Sequence, residues 1–119
     1  MNVAVIGASD KPERYSYQAV KLLQEKGHIV FPVHQRIKHI EGLKVYPSIR
    51  DVPDLIDTLS LYVAADISSV LAEDILAKQP RRIIFNPGAE NSELAETAKS
   101  FGIQPINACT LVLLRTGQF

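Results

Sequence analysis

The stretch Val3-Ala4-Val5-Ile6-Gly7-Ala8-Ser9-Asp10-Lys11-Pro12 decides how the rest of the sequence is interpreted. Its first four residues are all apolar, which is typical of a strand buried on both faces of a parallel sheet. A glycine and small polar residues end this run, and a helical pattern follows. Junctions of this kind hold phosphate groups in α/β nucleotide-binding folds, because backbone N–H groups and a helix N-terminus converge there. The stretch therefore predicts an α/β protein with an anion site near its N-terminus.

Outward from this stretch, strand-like and helix-like segments alternate along the chain. The apolar spacing within residues 16–26 predicts an amphipathic helix, and Gly27 suits its C-terminal end. Two further helices are predicted over residues 66–78 and 92–101, and a short helical turn over residues 111–114. Buried strands are predicted at residues 2–6, 28–33, 58–63, 82–85 and 103–106.

This alternation predicts an α/β fold with a parallel five-stranded sheet and helices on both of its faces. Right-handed crossovers and a doubly wound arrangement predict the strand order 3-2-1-4-5. In that order the first and fourth strands lie side by side, where the chain changes direction. The turn at Gly7 and the loop at Pro87 and Gly88 are therefore expected to meet over one crevice.

The composition limits the class of protein. With 119 residues, 46% of them hydrophobic and 22% charged, the chain is expected to form a single globular domain over residues 1–119. Lys and Arg total 13, as do Asp and Glu, so no overall charge attracts nucleic acid or an anionic membrane. Cys109 stands alone, which excludes an internal disulfide and a structural zinc site and fits a cytoplasmic protein. No signal peptide or membrane-spanning stretch is expected.

The Gly7 turn differs from the known dinucleotide and triphosphate motifs. The NAD fingerprint Gly-x-Gly-x-x-Gly would need glycines where Ser9 and Pro12 stand, and an acid after the second strand, where His34 stands. No Gly-x-x-x-x-Gly-Lys-Ser/Thr motif is present either. Arg36, near the end of that strand, suits a phosphorylated ribose, because a guanidinium donates to two phosphate oxygens at once. NADP and coenzyme A both carry such a phosphate.

Several segments together resemble the small stand-alone CoA-binding-domain proteins, which are similar to the nucleotide domain of the succinyl-CoA synthetase α subunit. The resemblance covers nearly the whole chain and lies in the order and spacing of its parts. It implies a Rossmann-like domain that binds coenzyme A or an acyl-CoA, with no established reaction for the stand-alone members. The segments that carry it are Val5-Ile6-Gly7-Ala8-Ser9, Tyr15-Ser16-Tyr17, Val30-Phe31-Pro32-Val33, Gly42 with Tyr46-Pro47-Ser48, Gly88 with Asn91, and Cys109.

At the pyrophosphate end of the ligand, the resemblance implies contacts with Gly7, Ala8 and Ser9. Ser16 and Tyr17 would lie behind these residues at the start of the helix. The backbone N–H groups of the turn would bind the phosphate oxygens. The positive charges of Lys11 and Arg14 would lie nearby and add to the attraction.

At the adenosine end, the resemblance implies that Val33, His34 and Arg36 line the adenosine and its 3′-phosphate. Val63 would pack on the adenine, and Gly88 would lie near the pantetheine. Relatives commonly have Asn-Pro-Lys after the second strand, whereas this chain has His34-Gln35-Arg36 and keeps a cation only at the third position.

The residues leave two other functions open: a small NADP-binding or reductase-type domain, and a regulatory or scaffolding module that has lost its ligand. No catalytic residues are predicted, because no serine lies in a Gly-x-Ser-x-Gly context. No metal site is expected, because the histidines lack metal-ligand spacing. The expected partner is a CoA-type small molecule, with no nucleic acid or membrane. The apolar run Leu111-Val112-Leu113-Leu114 fits either the core or the surface of a weak homodimer.

Overall fold

In the computed structural model, which describes residues 1–119, strands and helices alternate around one parallel sheet. The helices are α1 (Tyr15–Glu25), α2 (Ala65–Lys78), α3 (Ser92–Ser100) and α4 (Thr110–Arg115), with a 3-10 turn at Ile49–Asp51. The strands are β1 (Asn2–Ile6), β2 (Ile29–Val33), β3 (His39–Ile40), β4 (Leu43–Lys44), β5 (Thr58–Leu61), β6 (Arg82–Phe85) and β7 (Gln104–Asn107). None of the four helices is long and apolar enough to cross a lipid bilayer.

The main sheet runs in the order β2-β1-β5-β6-β7, and all of its neighbouring strands are parallel. The five parallel strands confirm the predicted fold class. The order differs from the predicted 3-2-1-4-5 in the place of the third predicted strand, β5, which lies between β1 and β6 instead of outside β2. All four residues of β5 are buried, as a central strand requires, whereas the edge strands expose Ile29 and Asn107.

Because of this order, the chain changes direction between β1 and β5, not between β1 and the strand before Gly88. Ligands bind at such a switch point in doubly wound sheets, beyond the carboxyl ends of the strands. The Gly7 turn therefore faces the residues that follow β5. The loop containing Gly88 follows β6 and lies one strand further along the sheet.

Alternate residues of β1 belong to two different cores, one on each face of the sheet. Val3 and Val5 pack in the core on the side of α1 and α4. Ala4 and Ile6 pack in the core on the side of α2 and α3. Because both faces of β1 are buried, its uninterrupted apolar sequence is explained by the two helical layers.

The connection from β2 to β5 contains a small hairpin made of β3 and β4 instead of a helix. Its tip is Glu41 and Gly42, both with positive φ, as a two-residue hairpin turn requires. The hydroxyl of Tyr17 on α1 donates a hydrogen bond to the Glu41 carboxylate and so ties the tip to the helix. Beyond the hairpin, Tyr46 makes two backbone hydrogen bonds, of 2.9 and 3.0 Å, along the outer edge of β2.

Candidate functional site

A cleft of about 950 Å³ opens at the carboxyl ends of β1 and β5. Its walls come from the turn after β1, the first residues of α1, the residues after β2 and the residues after β5. The cleft is open, so side chains do not fill the space in front of the turn. The lining residues are Gly7, Ala8, Ser9, Asp10, Lys11, Glu13, Arg14, Tyr15, Ser16, His34, Ile37, Tyr62, Val63, Ala64 and Ile67.

Gly7 lies on the floor of the cleft, where the residues after β5 come closest to the turn. Its φ is +84°, and a Cβ placed on it would lie 2.9 Å from Val63 Cγ1 and 3.2 Å from the carbonyl carbon of Tyr62. A side chain here would both strain the backbone and overlap the neighbouring segment. Glycine is therefore required by the close approach of the residue pair after β5, not only by the sharpness of the turn.

Not all backbone N–H groups of the turn are free to bind a ligand, although the prediction assumed that they are. The N–H groups of Gly7 and Ala8 both donate to the carbonyl oxygen of Val33, at 3.2 and 3.3 Å, so they are not free for a phosphate. Those of Ser9 and Asp10 have no acceptor within the chain. The prediction that Gly7 and Ala8 supply phosphate donors is therefore corrected, because β2 uses those two groups to fix the turn.

The N-terminus of α1 supplies further donors. Arg14 is the N-cap residue, no side chain caps the helix, and the first turn contains no acid. The N–H groups of Tyr15, Ser16 and Tyr17 have no acceptor within the chain. Unsatisfied N–H groups and the helix dipole give this end a partial positive charge that attracts an anion.

The charged side chains of the cleft do not add up to a strongly positive site. Lys11 and Arg14 are balanced by Asp10 and Glu13, and all four side chains are exposed. None of them takes part in an ion pair within the chain. Any preference for an anion therefore comes from the backbone donors and from how the two cations reorient around it.

Two residues after β2 form the side of the cleft next to the Gly7 turn. The Nδ1 atom of His34 accepts hydrogen bonds from the backbone N–H groups of Arg36 and Ile37, at 3.0 and 3.2 Å. Ile37 also lines the cleft. The Arg36 side chain is exposed and lies outside the lining, so only its backbone contributes to this wall.

Tyr62 and Val63 form the opposite wall. The predicted third strand extends to residue 63, but β5 ends at Leu61, and these two residues begin the loop that leads into α2. The Tyr62 hydroxyl is buried without a hydrogen-bond partner. Burial, assisted by the nearby Cys109, raises the pKa of Tyr62 to about 12, so this phenol stays protonated.

The loop that contains Gly88 is fixed to the sheet rather than to the cleft. Asn86 is buried and donates to Ser60 Oγ and to the carbonyl oxygen of Leu61, at 3.1 and 2.9 Å. Its Oδ1 accepts from the N–H of Thr110 at 2.8 Å. This network joins the ends of β5 and β6 to the start of α4, and the expectation that Gly88 and Gly7 meet over one crevice is wrong.

The structure brings together seven of the predicted ligand residues and leaves four outside the cleft. Tyr17 is outside because its hydroxyl turns to the hairpin, and Val33 because it is buried within the sheet. Arg36 and Gly88 lie outside for the reasons given above, and the contact of any of the eleven with a ligand stays a prediction. The seven in the cleft are Gly7, Ala8, Ser9, Lys11, Ser16, His34 and Val63.

Sequence reasoning missed several lining residues, of which Tyr15 and Tyr62 are the largest; Ile67 is another. Tyr15 and Ile67 are exposed apolar side chains at the mouth of the cleft, 69% and 49% accessible. A correct strand order would have pointed to Tyr62 and Ile67, because the residues after the strand next to β1 must face the Gly7 turn.

The sequence pattern of the CoA binding domain family matches residues 1–115. The chain belongs to this family. Membership confirms the family predicted from the sequence, and the match spans the turn, the cleft walls and all four helices.

Relatives of two kinds are found. The chain is 27% identical over 100 residues to the uncharacterized protein YneT of Bacillus subtilis, covering 84% of this chain and 74% of YneT. It is 26% identical over 125 residues to the alpha subunit of ADP-forming acetate–CoA ligase II of Pyrococcus furiosus, covering 96% of this chain but 27% of that subunit. The chain thus spans about a quarter of the ligase subunit. A hypothetical protein of Pyrococcus horikoshii has the same fold, with a TM-score of 0.90, 30% identity, and coverage of 96% of this chain and 81% of that one.

Proposed function

We propose that this protein binds coenzyme A or an acyl-CoA in the cleft between β1 and β5, without catalysing a reaction of its own. Family membership supports a CoA-type ligand. The alpha subunit of an ADP-forming acetate–CoA ligase aligns with nearly the whole chain. Because the chain matches only about a quarter of that subunit, ligase activity is not part of the proposal.

The observation that carries the proposal is the set of unpaired donors at one end of the cleft. The N–H groups of Ser9 and Asp10 and those of the first turn of α1 all lack an acceptor within the chain. Lys11 stands at the same end with no ion-pair partner. Five backbone donors and a cation suit a diphosphate, which offers several oxygens and two negative charges.

The adenosine end of the cleft argues against NAD. In NAD-binding folds a carboxylate after the second strand accepts hydrogen bonds from both ribose hydroxyls. Here that position is His34, and no acid lies among residues 34–38. NADP remains the competing ligand. Its ribose also carries a phosphate, so it does not depend on a carboxylate at this position.

The hydrogen bonds of the polar side chains in the cleft support binding rather than catalysis. The Ser9 hydroxyl accepts from the N–H of Lys11 at 3.1 Å, and His34 Nδ1 is occupied by two backbone groups. No hydrogen bond joins His34 to either serine of the cleft. A serine nucleophile would need a base within hydrogen-bond reach.

Isothermal titration with coenzyme A, acetyl-CoA, dephospho-CoA, NADP and NAD tests the proposal. We expect heat with coenzyme A and acetyl-CoA and none with NAD. Absence of binding to coenzyme A and acetyl-CoA at roughly 1 mM ligand would refute the proposal. Tighter binding of NADP than of coenzyme A would favour the reductase-type alternative instead.

A pair of lysine variants tests whether the ligand binds in the cleft. Lys11→Gln removes one of the two cations of the cleft, and we expect it to weaken coenzyme A binding by roughly threefold to tenfold at low salt. Lys26→Gln is the matched control, because Lys26 is exposed at the opposite end of α1. Equal loss in both variants would show that the effect is general electrostatics rather than contact in the cleft.

A further inference from the structure

His34 stands at the one position of the cleft where nucleotide-binding folds read the ribose. It follows β2 directly, next to the Gly7 turn, and its side chain lines the cleft. In NAD-binding domains this position holds an acceptor, a carboxylate, because the ribose hydroxyls are donors. The identity of the side chain here therefore determines which form of ribose is accepted.

The hydrogen bonds of the imidazole determine what it offers to a ligand. Two backbone N–H groups, those of Arg36 and Ile37, point at Nδ1, so Nδ1 must present a lone pair. The proton of the imidazole then lies on Nε2. Nε2 has no partner within the chain. His34 is thus a fixed, unused hydrogen-bond donor on the wall of the cleft.

We propose that the Nε2–H group of His34 reads a phosphate monoester on the ribose of the bound nucleotide, and so sets the preference for a phosphorylated ribose. The inference rests on the proposed function, because it assumes an adenine nucleotide in this cleft. A donor in place of the usual carboxylate favours phosphate oxygens, which only accept hydrogen bonds. The 3′-phosphate of coenzyme A and the 2′-phosphate of NADP share this chemistry.

This assignment replaces the sequence-based expectation for Arg36. The Arg36 side chain is exposed and does not line the cleft, and its N–H group instead orients the imidazole. Arg36 therefore acts on the wall through its backbone, which any residue except proline would supply. Substitutions of His34 and of Arg36 are therefore expected to have different effects on the preference for a phosphorylated ribose.

The decisive variant is His34→Asn. An asparagine at this position accepts the N–H group two residues further on in an Asx turn, which preserves the loop. Its amide N–H groups lie nearer the backbone than Nε2 of histidine does, so the variant withdraws the donor from the cleft without adding a negative charge. Arg36→Ala is the matched control, because it removes the guanidinium and leaves the backbone N–H group in place. Affinities for coenzyme A and dephospho-CoA, and for NADP and NAD, are measured by titration on all three proteins.

We expect the wild-type protein to prefer coenzyme A over dephospho-CoA by roughly tenfold to a hundredfold, as for a hydrogen bond to a charged group. His34→Asn should bring this ratio close to one with little change for dephospho-CoA, and Arg36→Ala should keep the ratio. Retention of the ratio in His34→Asn, or its loss in Arg36→Ala alone, would overturn the inference while leaving coenzyme A binding intact. A wild-type protein that binds neither compound would instead refute the proposed function.

A measurement on the unmodified protein covers the case in which His34→Asn does not fold. Long-range proton–nitrogen spectra of the three histidines distinguish a protonated Nε2 from an accepting Nδ1. The His34 Nε2 resonance should move on addition of coenzyme A and much less on addition of dephospho-CoA. Equal shifts with both compounds would overturn the inference.

Discussion

Replacement of Gly7 by alanine tests the close approach on which the cleft depends. At a φ of +84° an L-residue costs about 1–2 kcal/mol. The added Cβ would also lie 2.9 Å from Val63 Cγ1 and 3.2 Å from the backbone of Tyr62. The valine side chain can rotate away but the backbone cannot, and overpacking of this kind costs about 1–3 kcal/mol. We expect Gly7→Ala to lower the free energy of unfolding by about 2–5 kcal/mol.

Gly27→Ala is the matched control for this variant. Gly27 has nearly the same φ, +86°, but no atom lies within 4 Å of an added Cβ. Only the backbone cost of about 1–2 kcal/mol should remain. At about 4 °C per kcal/mol for a chain of this size, Gly7→Ala should melt about 8–20 °C lower than wild type and Gly27→Ala about 4–8 °C lower.

Urea unfolding followed by circular dichroism gives both free energies, and equal m-values would show that the comparison is valid. The reasoning about the close approach fails if Gly7→Ala is destabilised no more than Gly27→Ala. It also fails if Gly7→Ala binds coenzyme A as well as wild type does, because relief of the overlap must displace the wall formed by Tyr62 and Val63.

Three further substitutions test other contacts. Tyr62→Phe removes a buried, unpartnered hydroxyl and should stabilise the fold by about 1 kcal/mol at pH 7. Burial raises the pKa of Tyr62 from 10.0 to about 12, so the phenol ionises at a lower pH in the unfolded protein than in the folded one. As the pH rises from 10 to 12, wild type should therefore lose roughly 2–3 kcal/mol of stability that Tyr62→Phe does not lose. Parallel dependence of stability on pH in the two proteins would contradict this. Asn91→Ala removes the α3 cap and three contacts with α2, and chemical denaturation should show a loss of about 2–4 kcal/mol, against less than about 0.5 kcal/mol for Ser92→Ala. Tyr17→Phe should speed amide hydrogen exchange in the β3–β4 hairpin without changing global stability, whereas Tyr15→Phe, with no hydroxyl partner to lose, should leave exchange unchanged.

Much of the fold was predictable because it depends on local apolar patterns. β1 and β6 have the predicted bounds, and the other main strands and helices differ from prediction at their ends. The continuous apolar run of β1 indicated burial on both faces, and the two cores account for it. These features need no knowledge of which strands become neighbours.

The neighbour of β1 was not predictable in the same way. The hydrogen bonds that join parallel strands are made by the backbone, and any apolar strand can satisfy them. Residues 34–57 contain no α-helix that would indicate how the chain returns to the sheet. The placement of β5, and with it Tyr62 opposite Gly7, depended on how completely each strand is buried in the assembled layers.

Within the candidate site, the sequence identified the position of the turn but not the atoms it leaves free. Two of its N–H groups are used by the carbonyl oxygen of Val33, a residue 25 positions or more along the chain. The same applies to His34, which the sequence predicted only as a residue lining the ligand site. Only the folded loop, by directing two N–H groups to Nδ1, makes its Nε2 atom a fixed donor.

The sequence by itself determined that a buried strand, a glycine turn and a helix stand at the start of a parallel α/β sheet, and it indicated the family. These follow from side-chain hydrophobicity and backbone preference, which act between near neighbours in the chain. Tertiary structure alone decided which strand adjoins β1, which backbone donors remain free and which side chains line the cleft. Those outcomes depend on hydrogen bonds and burial between distant segments, and these exist only once the sheet has formed.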